Sequence, residues 1–276
     1  MSLKTFITRG LKYAITGQPV VKTSASISYL KHGELLKGKK IMITGGGRGL
    51  GFAMAKKFVE EGAKVIISGR NENTLRESAQ KINCQYIVLD ITHIEEFKKA
   101  ISISIEKLGG LNALVNNAGI SFHEGAFLNV SPEQFDMQFN CNIKGGYFLT
   151  QEFIKQTDSK EKRNVLFISS ERGFQADDLP YGLTKNAINS LIKGLAYRFI
   201  KEGIRVNGVA PGVTSSDMTK VAQDGNLYYP YNTNDRAYLP EEVAEVATFL
   251  ISDISSCISG EIIQCNEAKT VNAHWK

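Results

Sequence analysis

Tyr181 and Lys185 stand four residues apart in a segment of helical character, a spacing that puts both side chains on one helix face a single turn apart. A free phenol titrates near pH 10, too high to exchange a proton readily under neutral conditions. An ammonium about 4 Å away favours the phenolate by roughly 4 kcal/mol at an effective dielectric near 20, or roughly three pK units before solvent screening. The pair therefore reads as a tyrosine made acidic enough for general acid–base work. The same spacing arises by chance in many chains, so the reading depends on its surroundings.

A second stretch supplies chemistry of another kind. The apolar run Ile41-Met42-Ile43-Thr44 breaks into Gly45-Gly46-Gly47-Arg48-Gly49-Leu50-Gly51, after which Leu50, Ala53, Met54, Lys57 and Phe58 recur at helical spacing. A turn of this kind points amide N–H groups out of a helix N-terminus. Glycines at 45, 47, 49 and 51 let backbone approach an anion, and the helix end adds partial positive charge. A pyrophosphate is the expected guest. A tight strand-to-helix connection uses glycine equally, and again context separates the two.

The elements that must position these groups alternate. Strands are expected at Lys40 to Ile43, Val65 to Ser68, Tyr86 to Leu89, Ala113 to Val115, Asn164 to Ser169, Arg205 to Val209 and near Glu261 to Gln264. Between them lie helical patterns, among them a long one from Pro132 to about Gln156 and another from Tyr181 to Lys201. Alternation of this kind predicts an α/β fold, a single Rossmann-type doubly wound parallel sheet of about seven strands flanked by helices. In such a sheet ligands bind beyond the carboxyl ends of the strands. The 276 residues, 42% of them hydrophobic, suffice for one substantial core.

Composition removes several function classes. Cys84, Cys141, Cys257 and Cys265 form no C-x-x-C pair, and His32, His93, His123 and His274 are as scattered, so a disulfide framework and a metal site are both disfavoured. A reducing, cytoplasmic setting is expected. The net charge is +5, but residues 1–40 hold eight basic residues against Glu34, a net of +7 that leaves −2 for the remainder. A basic arm on a near-neutral body is not the footprint of a nucleic-acid binder. Residues 1–38 are read as this arm, preceding a catalytic domain at 39–276. Leu3, Phe6, Ile7, Leu11, Ala14 and Ile15 share one helical face, ended by Gly17-Gln18-Pro19. Packing on the body or a neighbouring subunit is expected of it, ahead of membrane-surface contact or a targeting role. No spanning segment or secretory h-region occurs.

The motifs taken together, from about Lys39 to Gln264, resemble the short-chain dehydrogenase/reductase family. Thr44-Gly-x-x-x-Gly-x-Gly51 matches its glycine fingerprint, Asn117-Ala118-Gly119 its N-A-G motif and Tyr181-x-x-x-Lys185 its active-site pair. Pro211-Gly212-Val213-Thr214-Ser215-Ser216-Asp217-Met218 resembles its P-G-x-x-x-T-D-M, and Arg236-x-x-x-Pro240-Glu-Glu-Val the entry to its last long helix. With Ser170 eleven positions before Tyr181 and Asn142 upstream, these match an Asn-Ser-Tyr-Lys tetrad. The resemblance implies that Ser170 holds the substrate oxygen and Tyr181 exchanges its proton. It implies too that Lys185 binds the nicotinamide ribose and lowers the Tyr181 pKa, while Asn142 anchors a water chain. It assigns the cofactor to Gly45, Gly47, Arg48, Gly49, Leu50, Gly51, Arg70, Asp90, Ile91, Asn117, Ala118, Gly119, Pro211, Gly212, Thr214 and Ser216, with Asp90 at the adenine ring. NAD-binding relatives place a carboxylate after the second strand; here Gly69 is followed by Arg70. That favours NADP(H), with a 2′-phosphate paired to Arg48 and Arg70, over NAD(H).

The expected activity is carbonyl–alcohol interconversion, most like 3-oxoacyl-carrier-protein reductases. Hydroxysteroid or sugar-alcohol dehydrogenases are the alternative, and a non-catalytic nucleotide-sensing or scaffolding protein the rival from another class. Homo-oligomers through the helices near Glu133–Gln156 and Tyr181–Lys201 are implied. Three departures stand out. Ser216 replaces a threonine; the Ser170–Tyr181 connection is shorter and more charged, with Glu171, Arg172, Asp177 and Asp178; and Cys265-Asn266-Glu267-Ala268-Lys269 stands where the family has Asp-Gly-Gly. Lys220 to Tyr238 corresponds to the substrate lid, with Tyr228, Tyr229, Tyr231 and Tyr238 as candidate pocket residues. His123 is expected to be a satisfied loop residue.

Overall fold

The computed structural model describes residues 33–271 except Asp217, Lys220 and residues 222–226, together with Leu11 and Ala14. The amphipathic arm and part of the lid therefore lie outside the described residues. Seven parallel strands form one sheet: β1 (Lys40–Thr44), β2 (Lys64–Gly69), β3 (Gln85–Val88), β4 (Ala113–Asn116), β5 (Arg163–Ile168), β6 (Ile204–Pro211) and β7 (Ile262–Cys265). Their order is β3-β2-β1-β4-β5-β6-β7. The order reverses between β1 and β4, where a doubly wound sheet opens its ligand crevice. Thr44 and Asn116, the last residues of those two strands, stand at its floor.

Alternation along each strand sends side chains to two cores. Ile41 and Ile43 join Val65, Ile67 and Leu166 on one face, packed by helices α1 (Gly49–Glu60) and α2 (Glu72–Ile82). Met42 and Ile66 turn to the other face with Val165 and Phe167, covered by α3 (Phe97–Leu108) and by α5 and α6 below. This period of two is what a parallel sheet buried on both sides requires. Residues 33–38, counted with the arm on sequence grounds, include contacts with the body. Leu36 is fully buried in the first core, and the N–H groups of Gly33 and Leu35 donate to the Glu61 carboxylate. The charge pattern that delimits the arm carries no information about that burial.

The long helix is continuous but not uniform. α4 (Pro132–Phe139) starts at a capping box in which Ser131 and Gln134 satisfy each other's backbone N–H. It passes through a π segment, Asn140–Gly145, into α5 (Gly146–Gln156). A π segment widens the turn and re-aims one side chain. A Cβ at Gly145 would overlap the Ile91 carbonyl oxygen, so only glycine lets this segment press against the loop after β3. α6 (Pro180–Phe199) and α7 (Pro240–Ile251) complete the layers, each opened by proline at its first turn.

Candidate active site

The glycine turn is built by close contact more than by freedom. Gly45 and Gly49 hold φ of +64° and +53°, the left-handed region that favours glycine. A Cβ at Gly51 would overlap the Gly45 carbonyl oxygen and stand 2.6 Å from Asn117 Nδ2; one at Gly46 would stand 2.6 Å from Ile67 Cγ2. Gly46, which the sequence reading passed over, is thus as constrained as the others. Asn117 closes the crevice: its Nδ2 donates to the Thr44 and Gly45 carbonyls (2.8 and 3.1 Å). The Thr44 hydroxyl accepts from the N–H groups of Asn117 and Ala118, both at 3.0 Å. Arg48 is the N-cap of α1 and its side chain makes no capping bond, so the first-turn amides stay directed at the crevice. A Cβ at Gly49 would meet Ser216 Cβ at 3.8 Å and nothing nearer. The two motifs thereby face each other across a cradle that suits a dinucleotide.

Beyond the turn, Arg70 is exposed at the end of β2, and its charge reaches Asp90 at the end of the neighbouring strand. Burial raises the Asp90 carboxyl, but hydrogen bonds from the Thr92 N–H and hydroxyl, with the charges of Arg70 and His93, bring it below its ordinary value. Ile91 points its side chain into the core, leaving only backbone for a ligand, and Leu50 packs partly buried on the other core. Pro211 ends β6, and the Thr214 hydroxyl donates to the Gly212 carbonyl (3.0 Å).

Asn142, buried in the π segment, accepts from the Ile120 N–H (2.8 Å) and donates to the Ile120 carbonyl (2.9 Å) and the Thr184 hydroxyl (3.2 Å). Thr184 in turn donates to the Tyr181 carbonyl (2.7 Å). A Cβ at Gly119 would lie 3.4 Å from Asn142 Oδ1 and 3.8 Å from Lys185 Nζ. Ser170, two residues past β5, is the N-cap of the 3-10 turn Glu171–Phe174; its hydroxyl accepts from the Arg172 N–H at 3.2 Å and favours the Tyr181 phenolate. Asn142, Ser170, Tyr181 and Lys185 therefore converge from three elements. Spacing alone could not reveal the π segment that turns Asn142 inward; the adjacent Gly145-Gly146 pair, poor in helix propensity, was the available signal.

Electrostatics here correct the expectation drawn from spacing. Lys185 Nζ lies 5.4 Å from the Tyr181 ring centre and donates to the Ile168 carbonyl at 2.8 Å. Burial pushes this ammonium down to about 8. The Tyr181 phenol is raised, not lowered: burial dominates, opposed by the Ser170 hydrogen bond and the charge of Arg172. Desolvation is the largest influence on both groups. The cation that favours the phenolate is Arg172, which forks onto Asp177 through Nε and Nη2. A Cβ at Gly182 would overlap the Asp177 carboxylate, so the glycine after Tyr181 admits this pair.

Of the lid tyrosines, Tyr238 is buried, whereas Tyr228 and Tyr231 are exposed. His123, at φ +54°, meets the Met218 carbonyl through Nε2 at 2.9 Å. Among the described residues no cluster of three metal-ligating side chains occurs, and no helix is long and apolar enough to cross a membrane.

Residues 45–267 match the family model described as enoyl-(acyl carrier protein) reductase. The chain belongs to the short-chain dehydrogenase/reductase family. It is an oxidoreductase of that family, whose members use a nicotinamide cofactor and act on small molecules. Dehydrogenase/reductase SDR family member 4 of Caenorhabditis elegans is 30% identical over 242 residues, covering 82% of this chain and 93% of its own. A 3alpha-hydroxysteroid dehydrogenase of Mediterraneibacter gnavus is 33% identical over 247 residues, covering 85% and 98%. Among solved structures, 3-ketoacyl-(acyl-carrier-protein) reductase of Brucella melitensis complexed with NADH superposes with a TM-score of 0.80 at 28% identity, covering 86% of this chain and all of that one.

Proposed function

We propose that this short-chain dehydrogenase/reductase is an NADP(H)-dependent reductase that converts a carbonyl to a secondary alcohol, with 3-oxoacyl thioesters as its substrate class. The observation that carries the reading is the convergence of Ser170, Tyr181, Lys185 and Asn142 beside the glycine turn. The turn's amides and Asn117 hold the dinucleotide, Lys185 its ribose, and Pro211 to Ser216 its carboxamide. When bound, the nicotinamide supplies hydride chemistry. Ser170 orients the substrate oxygen, and Tyr181 gives that oxygen a proton. A phenol whose pKa is raised is protonated at neutral pH, the form that carbonyl reduction needs from a general acid. Asn142 holds the Ile120 backbone and Thr184 in register and anchors proton resupply.

Preference for NADP(H) is supported by Arg70 standing where a carboxylate would repel a 2′-phosphate, with Arg48 also exposed in the glycine turn. The relative with bound NADH makes the test informative. Exposed Phe135, Met137, Tyr147, Leu183 and Tyr197 on α4 to α6 support a homo-oligomer, and four free cysteines a reducing, cytoplasmic setting. The exposed lid tyrosines and the bacterial hydroxysteroid relative favour a second reading, hydroxysteroid oxidoreduction.

The experiment follows loss of NADPH absorbance with acetoacetyl-CoA, a 3-oxosteroid and a ketose. The thioester is expected to turn over fastest, and Tyr181→Phe to lower kcat roughly 10²- to 10⁴-fold while NADPH still binds. A faster steroid moves the assignment to the second reading. NADPH binding with no oxidation of any compound assigns a nucleotide sensor instead.

A further inference from the structure

Two of the departures noted in the sequence meet in space. Glu171, first residue of the short charged connection, is buried, and its Oε1 accepts from Lys269 Nζ at 2.8 Å. Lys269 lies in the C-terminal segment that replaces the family's Asp-Gly-Gly. The same ammonium donates to Asn232 Oδ1 at 3.1 Å, in the segment returning from the lid. Asn232 is buried, and its Nδ2 donates to the Arg236 carbonyl (2.7 Å) and the Val213 carbonyl (3.4 Å). One cation thus ties the serine turn, the lid return and the C-terminal segment to the Pro211–Val213 turn.

Three further features indicate that the arrangement is held on purpose. Glu267 and Ala268 adopt φ of +47° and +64° immediately before Lys269, a conformation non-glycine residues keep only when their surroundings impose it. A Cβ at Gly212 would stand 3.1 Å from Glu171 Oε2 and 2.7 Å from the Tyr238 ring. Glycine there lets the carboxylate press behind the turn. The opposite side of the serine turn is gripped by α6, where Asn189 Nδ2 donates to the Gly173 carbonyl (2.8 Å) and Asn189 Oδ1 accepts from the Ser169 hydroxyl (2.6 Å). Lys269 supplies the other half of the grip.

The geometry points to Glu171 and Lys269 as positioning residues that keep the Ser170 hydroxyl and the Gly212 turn at their working separation. This inference rests on the assignment of Ser170 to the substrate oxygen. Neither side chain touches that oxygen; both act through the backbone of Ser170. A misplacement on the order of 1 Å costs roughly a hundredfold in rate. Removing Lys269 alone strands a buried carboxylate, which must turn toward water and drag Ser170 with it. Removing both charges leaves no such pull.

The 276-residue chain is assayed with NADPH and acetoacetyl-CoA, below the unfolding temperature of every variant. Lys269→Met is expected to lower kcat roughly tenfold to a hundredfold with KM and the NADPH Kd within about threefold. Lys269→Arg is expected to retain most of the rate, and Glu171→Gln/Lys269→Met to recover most of what Lys269→Met loses. An unchanged kcat in Lys269→Met, a double variant as impaired as Lys269→Met, or a loss seen in NADPH affinity instead of kcat overturns the proposal. Should Lys269→Met fail to fold, Glu171→Gln decides: a severalfold fall in kcat supports the pair and none overturns it. Ser170→Ala run in parallel separates the two levels, because an active Ser170→Ala removes the catalytic assignment itself, whereas an inactive one beside a fully active Lys269→Met removes only the positioning role.

Discussion

Lys185 is a cation held in the protein interior with no anionic partner among the described residues, and replacing it with methionine should stabilise the fold over a defined pH range. Its side chain is buried and its ammonium donates to the Ile168 carbonyl. Burial lowers its pKa from 10.5 to about 8. Each pH unit of that fall corresponds to about 1.4 kcal/mol, so keeping the charged form in the fold costs on the order of 3 kcal/mol. Below about pH 8 both folded and unfolded chains carry the proton, and the full cost is present. Between about pH 8 and 10.5 only the unfolded chain binds it, so wild-type stability from this group rises with pH until the cost is gone. Lys185→Met has no such dependence. It forfeits one buried hydrogen bond, worth about 1 to 3 kcal/mol, leaving a net gain from near zero to about 2 kcal/mol near pH 7. The difference between variant and wild type should then fall by about 3 kcal/mol by pH 10.5. Urea unfolding of both proteins across this range measures it, since other titrating groups cancel in the difference. A flat difference curve, or one that rises with pH, would refute the reasoning, and the stabler variant is expected to turn over poorly.

Two further outcomes follow from the crevice. Arg70→Ala should lower discrimination of NADPH against NADH by roughly tenfold to a hundredfold, the equivalent of about 1.5 to 3 kcal/mol for charge-assisted hydrogen bonds; unchanged Kd values for the two cofactors would reject the phosphate assignment. Gly51→Ala forces a methyl onto the Gly45 carbonyl and should cost about 1 to 3 kcal/mol of stability together with most NADPH affinity, read by denaturation and by fluorescence titration; normal binding would show that the turn is not the cradle.

Much of the architecture was legible locally. The alternation that buries Ile41 and Ile43 on one face and Met42 on the other is a property of consecutive residues, and so is the glycine cluster that must follow a strand and open a helix. Tyr181 and Lys185 are one helical turn apart wherever that helix goes. Such features depend on neighbours along the chain, which is what a sequence displays. Strand ends also told which residues would gather, because a parallel sheet brings all its carboxyl ends to one edge.

Tertiary structure decided what those residues experience. The spacing of Tyr181 and Lys185 suggests attraction and a more acidic phenol, but burial of both groups reverses the sign, and burial is set by whatever packs around them. Asn142 faces Ile120 and Thr184 only because the long helix widens into a π turn. The pairing of Glu171 with Lys269 joins positions almost a hundred residues apart in the chain, with no periodicity to announce it. Residues 33–38 likewise contact the body through Glu61 and a buried Leu36. Desolvation and long-range pairing depend on distances through space, and the order of residues along the chain does not contain them until the fold is complete.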